Sequence, residues 1–102
     1  MPENNIRIEM VLSCQALDRS GLNRGASGNL SVRDGTDMLI TPSAVAYDEI
    51  APEMMARMPL VSDDDGYEGP KKPSSEWRFH RDILKARPDV NAVVHTHAPF
   101  CT

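Results

Sequence analysis

Residues 73–97 read PSSEWRFHRDILKARPDVNAVVHTH, and the rest of the chain is interpreted from this stretch. It predicts a helix followed by a strand. Ser74 or Ser75 is a natural N-cap, Glu76 falls in the first helical turn, and Pro88 ends the helix. A helix start leaves several backbone N–H groups unpaired, so the two serines and these amides could hold an anion such as phosphate. Simple capping, without any ligand, is the alternative.

The apolar run Ala92–Val94 predicts a short buried strand that leads into two histidines. Strand side chains alternate between faces, so His95 and His97 are expected to point the same way. Two strand residues rise roughly 6.6 Å. Imidazoles that lean along the strand can then close on one ion with bonds of about 2.0 to 2.1 Å. The pair therefore predicts a divalent metal site, with two solvent-facing or hydrogen-bonded histidines as the alternative.

A carboxylate, two imidazoles and a group of anion-holding positions together suit one kind of chemistry. Glu76 would act as general base and acid beside a substrate carbonyl, and a metal would act as Lewis acid there. His80 lies four residues after Glu76 on the same helical face. We interpret it as a structural or surface histidine rather than a metal ligand.

PSSE at 73–76, followed by HTH at 95–97, resembles the class II aldolase/adducin family, in particular its fuculose-phosphate aldolase branch. GLNRGASGNLSVR at 21–33 and LITPS at 39–43 resemble the same family's other signatures, in the family's order. The resemblance covers nearly the whole chain. It implies an α/β fold, a three-layer α/β/α sandwich with a mainly antiparallel central sheet, here incomplete.

The resemblance further implies a zinc-dependent aldolase that cleaves a ketose 1-phosphate, similar to fuculose 1-phosphate, into dihydroxyacetone phosphate and a small aldehyde. It implies Glu76 as the catalytic residue, and Glu76, His95 and His97 as ligands of Zn²⁺. A homotetramer with active sites at subunit boundaries is also implied. The positions around the substrate phosphate would be Gly28, Asn29, Ser43, Ala44, Ser74 and Ser75. Ala44 departs from the family pattern, because glycine is usual there.

The family's third histidine ligand would fall beyond Thr102, so we expect residues 1–102 to be the N-terminal part of a single, longer domain. Related members of the family are epimerases, dehydratases or decarboxylases on the same scaffold. The adducin head is a non-catalytic binding module that lacks the metal-binding histidines, so His95 and His97 favour catalysis. A Schiff-base aldolase that uses Lys71 or Lys72 is a more distant alternative.

Composition and charge narrow the classes of partner. A net charge of −4 and a pI of about 5.2 argue against a nucleic-acid role. The sequence has no apolar run of membrane-spanning length and no signal peptide at its start, so we expect a cytoplasmic protein without a membrane partner. Cys14 and Cys101 lack metal-type spacing and are expected to be thiols, with Cys14 in the core.

The rest of the chain predicts a simple order of elements. Residues 5–19 form an amphipathic helix that Gly21 would end. Residues 30–33 and 38–40 form a hairpin around a turn at 34–37. Residues 54–60 form a further strand.

Pro59 places that further strand at a sheet edge, because proline cannot donate a ladder hydrogen bond.

Overall fold

The computed structural model describes residues 2–19, 29–43, 45, 49–61 and 66–95. Gly21 and Cys101, for which we made predictions, lie outside these ranges. None of the described helices is long and apolar enough to cross a membrane. The elements, in chain order, are α1 (Pro2–Arg19), β1 (Asn29–Asp34), β2 (Asp37–Ile40), a 3-10 helix (Pro52–Met54), β3 (Ala56–Pro59), α2 (Trp77–Ala86) and β4 (Ala92–His95).

The described strands form one antiparallel sheet in the order β3-β2-β1-β4. The predicted hairpin is confirmed as β1 and β2, where Asp34 pairs with Asp37 across a two-residue turn. Gly35 in that turn has a φ of +62°, a conformation that glycine adopts without strain. The edge position predicted from Pro59 is also confirmed, since β3 is the outermost strand on its side.

Each face of the sheet is covered by one helix. Strand alternation directs Leu39 to a core shared with Met10 and Cys14 of α1. Its neighbours Met38 and Ile40 point the other way, into a core shared with α2. The three layers and the antiparallel sheet confirm the predicted α/β/α fold, and the core position of Cys14 is confirmed as well. Methionines fill much of both cores, where their flexible side chains adapt to irregular gaps.

The start of α2 differs from the prediction. The helix begins at Trp77 with Glu76 as its N-cap, so neither serine occupies that position. The Ser74 carbonyl accepts the N–H of Trp77 at 3.0 Å, and the Ser74 hydroxyl accepts the N–H of Glu76 at 3.3 Å. Ser74 therefore closes a turn before the helix, because its hydroxyl can serve a nearby backbone group as well as a helix end. Pro88 follows the end of α2, as predicted.

The predicted burial of β4 is wrong for the residues that the structure describes. Ala92 and Val94 are exposed, and Val93 and His95 are half-buried. Among the described strands β4 pairs with β1 alone, so its other edge has no neighbour in this part of the chain. Exposure here is set by the strand's position in the sheet, which an apolar run of three residues does not report.

Arg33 of β1 joins the sheet to the far end of α2. Its guanidinium donates hydrogen bonds to the carbonyl oxygens of Leu84, of Arg87 at 3.3 Å and of Val90 at 3.1 Å. The last carbonyl groups of a helix have no partner within the helix and carry partial negative charge. Arg33 therefore gives a donor to two groups at this helix end, those of Leu84 and the C-cap Arg87, and to Val90 in the segment that follows the helix. These bonds hold the end of α2 against β1.

We expect replacement of Arg33 by methionine to lower the free energy of unfolding by about 2 kcal/mol, because it leaves these carbonyl groups without their donor. Urea unfolding followed by circular dichroism measures the change. Arg87→Met is the matched control, since the Arg87 side chain pairs with Asp89 on the exposed surface and should leave the midpoint close to wild type. Equal urea midpoints for the two variants would contradict the proposed role of Arg33 at the end of α2.

Candidate active site

Glu76 and His95 meet at one end of the sheet. Glu76 lies at the start of α2 and His95 is the last residue of β4. The Nδ1–H group of His95 donates a hydrogen bond to Oε2 of Glu76. The side chain of His95 is 34% exposed and that of Glu76 is 36% exposed. The pair is therefore held by the fold and is still open to solvent. A carboxylate and an imidazole thus share one accessible point.

Phe79 packs beside His95. It follows Glu76 by three residues in sequence, and its ring centroid lies 5.8 Å from that of His95 at an interplanar angle of 54°. One end of α2 therefore supplies both a hydrogen-bonding partner and an aromatic neighbour to the same imidazole. Together these contacts fix the place of the ring beside the carboxylate.

His80 is buried, with no exposed surface, and is hydrogen-bonded through both ring nitrogens. Its Nδ1 lies 2.7 Å from Oγ of Ser31, and its Nε2 contacts Oδ1 of Asn29. The surface alternative for His80 is therefore wrong and the structural one holds. Because both nitrogens are used within the protein, His80 is not available as a metal ligand in this arrangement.

Burial lowers the pKa of His80 from its ordinary value of 6.5 to about 4, while the nearby Glu76 carboxylate raises it and His95 lowers it to smaller extents. Between these two values the unfolded chain binds a proton that the folded chain excludes. The free energy of unfolding should therefore rise with pH from about 4 to 6.5, by about 3 kcal/mol from this residue.

Urea unfolding at several pH values between 4 and 7 measures this slope. In His80→Gln, which has no imidazole at this position, the slope should be smaller by the His80 contribution. The other titrating groups are common to both proteins and act as the internal control. The same slope in the variant and the wild type would contradict the assigned pKa.

Backbone hydrogen bonds tie three predicted phosphate-site segments together. The N–H of Ser43 donates to the Lys72 carbonyl oxygen, and the N–H of Ser74 donates to that of Thr41, both at 2.9 Å. Thr41 in turn exchanges hydrogen bonds with Leu30, through its N–H at 3.0 Å and its Oγ1 at 3.1 Å. Asn29, at the start of β1, is therefore held close in the fold to the loops that carry the serines.

A cavity of about 370 Å³ lies between two of these loops. It is lined by Ser43 and Ser75, whose side chains are exposed, while Ser74 is buried with 7% exposure and does not line it. The remaining lining residues are Tyr67, Lys72, Pro73 and Trp77. The cavity therefore offers hydroxyl groups and one lysine to a ligand.

The structure brings the described site residues together in two groups at this end of the sheet. Glu76, His95 and Asn29 form one, since Asn29 pairs with His95 in the β1–β4 register. Ser43 and Ser75 share the cavity described above. Gly28, Ala44 and His97 lie outside the described residues, so their predicted roles stay predictions. Within the described part of the chain, no three His, Cys, Asp or Glu side chains converge as a metal site would require.

The sequence prediction missed the link between His80 and Asn29 and the packing of Phe79 on His95. The spacing of His80 and Leu84 does indicate one inward face of α2, which was a signal for burial. The pairing with Asn29 joins residues 51 positions apart and leaves no such local signal.

The fold agrees with the comparison to known proteins. Residues 8–102 match the class II aldolase and adducin N-terminal domain, and the chain belongs to this family. The family resemblance stated from the sequence is thereby confirmed.

Two curated relatives align with the whole chain. It is 46% identical over 104 residues to the 5-methylthioribulose-1-phosphate/5-deoxyribulose-1-phosphate aldolase of Rhodospirillum rubrum. It is 40% identical over 102 residues to the L-fuculose phosphate aldolase of Escherichia coli K12. In both cases the alignment covers 100% of this chain and 46% of the relative, so the chain spans about half of their length.

A solved L-fuculose 1-phosphate aldolase superposes with a TM-score of 0.85 at 32% sequence identity. The superposition covers 93% of this chain and 45% of the solved chain. The three-layer architecture is therefore that of class II aldolases.

Proposed function

We propose that the protein containing this chain is a zinc-dependent lyase that cleaves a ketose 1-phosphate into dihydroxyacetone phosphate and a small aldehyde. The observation that carries this proposal is the contact between the Glu76 carboxylate and the His95 imidazole, half-open to solvent at the end of the sheet. A carboxylate placed beside a nitrogen donor is what proton transfer next to a polarised carbonyl requires. The names of the relatives support a sugar-phosphate substrate.

The chemistry of the donor set fits a divalent metal. Imidazole nitrogen and carboxylate oxygen are both zinc ligands, and Glu76 and His95 already present them at one solvent-accessible point. His95, His97 and Glu76 would hold the ion. When bound, a divalent metal supplies a Lewis acid that polarises the substrate carbonyl. The packing of Phe79 and the carboxylate of Glu76 keep the His95 ring in place beside it.

Glu76 would move the proton. In the direction of synthesis, its carboxylate removes a proton from the hydroxyl-bearing carbon next to the carbonyl of dihydroxyacetone phosphate. In cleavage, the hydroxyl group on the carbon that becomes the aldehyde gives up its proton as the carbon–carbon bond breaks. Glu76, protonated in that exchange, then delivers a proton to the carbon next to the carbonyl of dihydroxyacetone phosphate. The N-cap position suits this role, because it fixes the backbone of Glu76 and leaves its side chain at the sheet's end.

The substrate phosphate would bind among N–H and O–H donors. Asn29, Ser43, Ser74 and Ser75 supply them in the described part of the site, and Gly28 and Ala44 would complete it. The backbone pairs between the loops support this grouping, because they hold the donors in a fixed arrangement before ligand arrives. We include in the proposal a homotetramer, as the family resemblance implies, and a cytoplasmic location, as expected from the sequence.

The test is an assay of the intact protein with candidate ketose 1-phosphates. Fuculose 1-phosphate is the first substrate, and 5-methylthioribulose 1-phosphate is the second, favoured by the 46% identity to an aldolase of that name. Release of dihydroxyacetone phosphate, followed by its reduction with NADH in a coupled assay, is the expected result, with loss of activity after chelation. Conversion of the sugar phosphate without dihydroxyacetone phosphate would favour the epimerase, dehydratase or decarboxylase alternatives.

A further inference from the structure

We propose that His80 is a positioning residue that orients the side-chain amide of Asn29, so that the amide N–H groups face the substrate phosphate. The inference rests on the proposed function, in which Asn29 contacts that phosphate. His80 itself would touch neither the substrate nor the metal.

The contacts around His80 have one consistent set of donors and acceptors when Oδ1 of the Asn29 amide faces the ring. Oδ1 of Asn29 can only accept, so Nε2 of His80 must carry the proton that joins them. In a neutral imidazole, Nδ1 is then an acceptor, and the hydroxyl of Ser31 donates to it at 2.7 Å. Hydrogen-bond donation in this arrangement therefore runs in one direction, from the Ser31 hydroxyl to Nδ1 of His80 and from the Nε2–H group of His80 to Oδ1 of Asn29.

This polarity decides which end of the Asn29 amide is left for a ligand. With Oδ1 turned towards His80, the NH₂ group is the end that remains for an anion. With the proton on Nε2, a flipped amide would place its N–H groups against the N–H of His80, and its carbonyl oxygen would face and repel the phosphate. The tautomer of His80 with its proton on Nε2 therefore favours the amide orientation that suits anion binding.

Burial strengthens the preference for this set of hydrogen bonds. Ser31 and His80 have no exposed surface, and Asn29 is 4% exposed, so bulk water has little access to replace a lost partner. A charged imidazole is disfavoured at a site without exposed surface, so the neutral ring keeps Nδ1 as the acceptor for the Ser31 hydroxyl. A buried polar group without its partner is costly, so the network favours one state.

A pair of substitutions separates positioning from simple packing. In His80→Gln the amide nitrogen reaches about the place of Nε2 and can still donate to Asn29, whereas in His80→Asn it reaches about the place of Nδ1. We expect His80→Asn to weaken binding of inorganic phosphate to the intact protein by about 10-fold or more. We expect His80→Gln to stay within about 3-fold of wild type. Isothermal titration calorimetry measures both, and urea unfolding measures their stability separately.

Combining Asn29→Ala with His80→Asn tests whether His80 acts on phosphate binding through Asn29. Asn29→Ala alone should weaken phosphate binding by about 10-fold or more, and adding His80→Asn to it should weaken binding by less than about 2-fold further. If Asn29→Ala weakens binding and His80→Asn does not, positioning by His80 is overturned and the phosphate role of Asn29 stands. If Asn29→Ala leaves binding unchanged, that role fails and the inference fails with it. Equal losses in His80→Gln and His80→Asn also overturn it.

A measurement on the wild-type protein tests the same polarity without any variant. Nitrogen NMR of histidine-labelled protein at pH 7 should show His80 as the neutral tautomer with its proton on Nε2. A proton on Nδ1 in place of Nε2 would overturn the inference, because the Asn29 amide would then have to be flipped.

Discussion

Replacing Glu76 with glutamine is expected to lower kcat for ketose 1-phosphate cleavage by about 100- to 10,000-fold. The amide keeps the size of the side chain and can still contact His95, but it cannot accept and return a proton at neutral pH. Substrate binding uses other residues, so KM should change far less than kcat. Steady-state kinetics on the intact protein, with release of dihydroxyacetone phosphate as the readout, measures both parameters.

Glu9→Gln is the matched control for this variant. It makes the same chemical change on the exposed surface of α1, which covers the opposite face of the sheet from α2. Its kcat and KM should equal those of the wild type. Turnover by Glu76→Gln at the rate of the control would remove Glu76 from its proposed role.

The second large effect concerns metal binding. Replacing His95 with alanine removes the imidazole that contacts Glu76, so the bound zinc should fall from about one equivalent per chain to less than about a tenth. Activity should fall with it by at least about 100-fold. Elemental analysis after gel filtration, in a buffer without added metal, measures the content.

His80→Gln is the control for the loss of an imidazole. It lies on the same helix as Glu76, but both of its ring nitrogens are engaged with Ser31 and Asn29, so the variant should keep its zinc. A His95→Ala protein with its full metal content would contradict the proposed ligand set. Loss of zinc from His80→Gln alone would show that the two histidines had been assigned the wrong roles.

Much of the fold follows from local pattern. Leu30 and Val32 alternate with polar neighbours and reach a two-residue turn at Gly35, and this arrangement specifies the hairpin. Pro59 marks an outer strand because of its missing N–H, and the structure places it there. These features depend on the backbone properties of glycine and proline and on the alternation of apolar and polar residues along a strand. A single sequence displays both directly.

Other features depend on residues that are far apart in the sequence, and they could not be predicted from local patterns. Ala92–Val94 has the composition of a buried strand, yet its exposure depends on which strands lie beside it. Ser74 has the chemistry of an N-cap, yet its hydroxyl completes a turn that leaves Glu76 at the cap. The sequence brought Glu76 and His95 into one candidate site but gave no indication that Asn29 would be held by His80.

Exchange of hydrogen for deuterium at the carbon next to the carbonyl of dihydroxyacetone phosphate tests the central claim most directly. This half-reaction needs the proton-transfer site but no aldehyde and no bond cleavage. In D₂O, the intact wild-type protein should catalyse the exchange, as seen by proton NMR. Glu76→Gln loses one of the proposed zinc ligands, so it should keep only part of its zinc and exchange at least about 100-fold more slowly per bound zinc. Equal exchange rates per bound zinc in the two proteins would contradict the account.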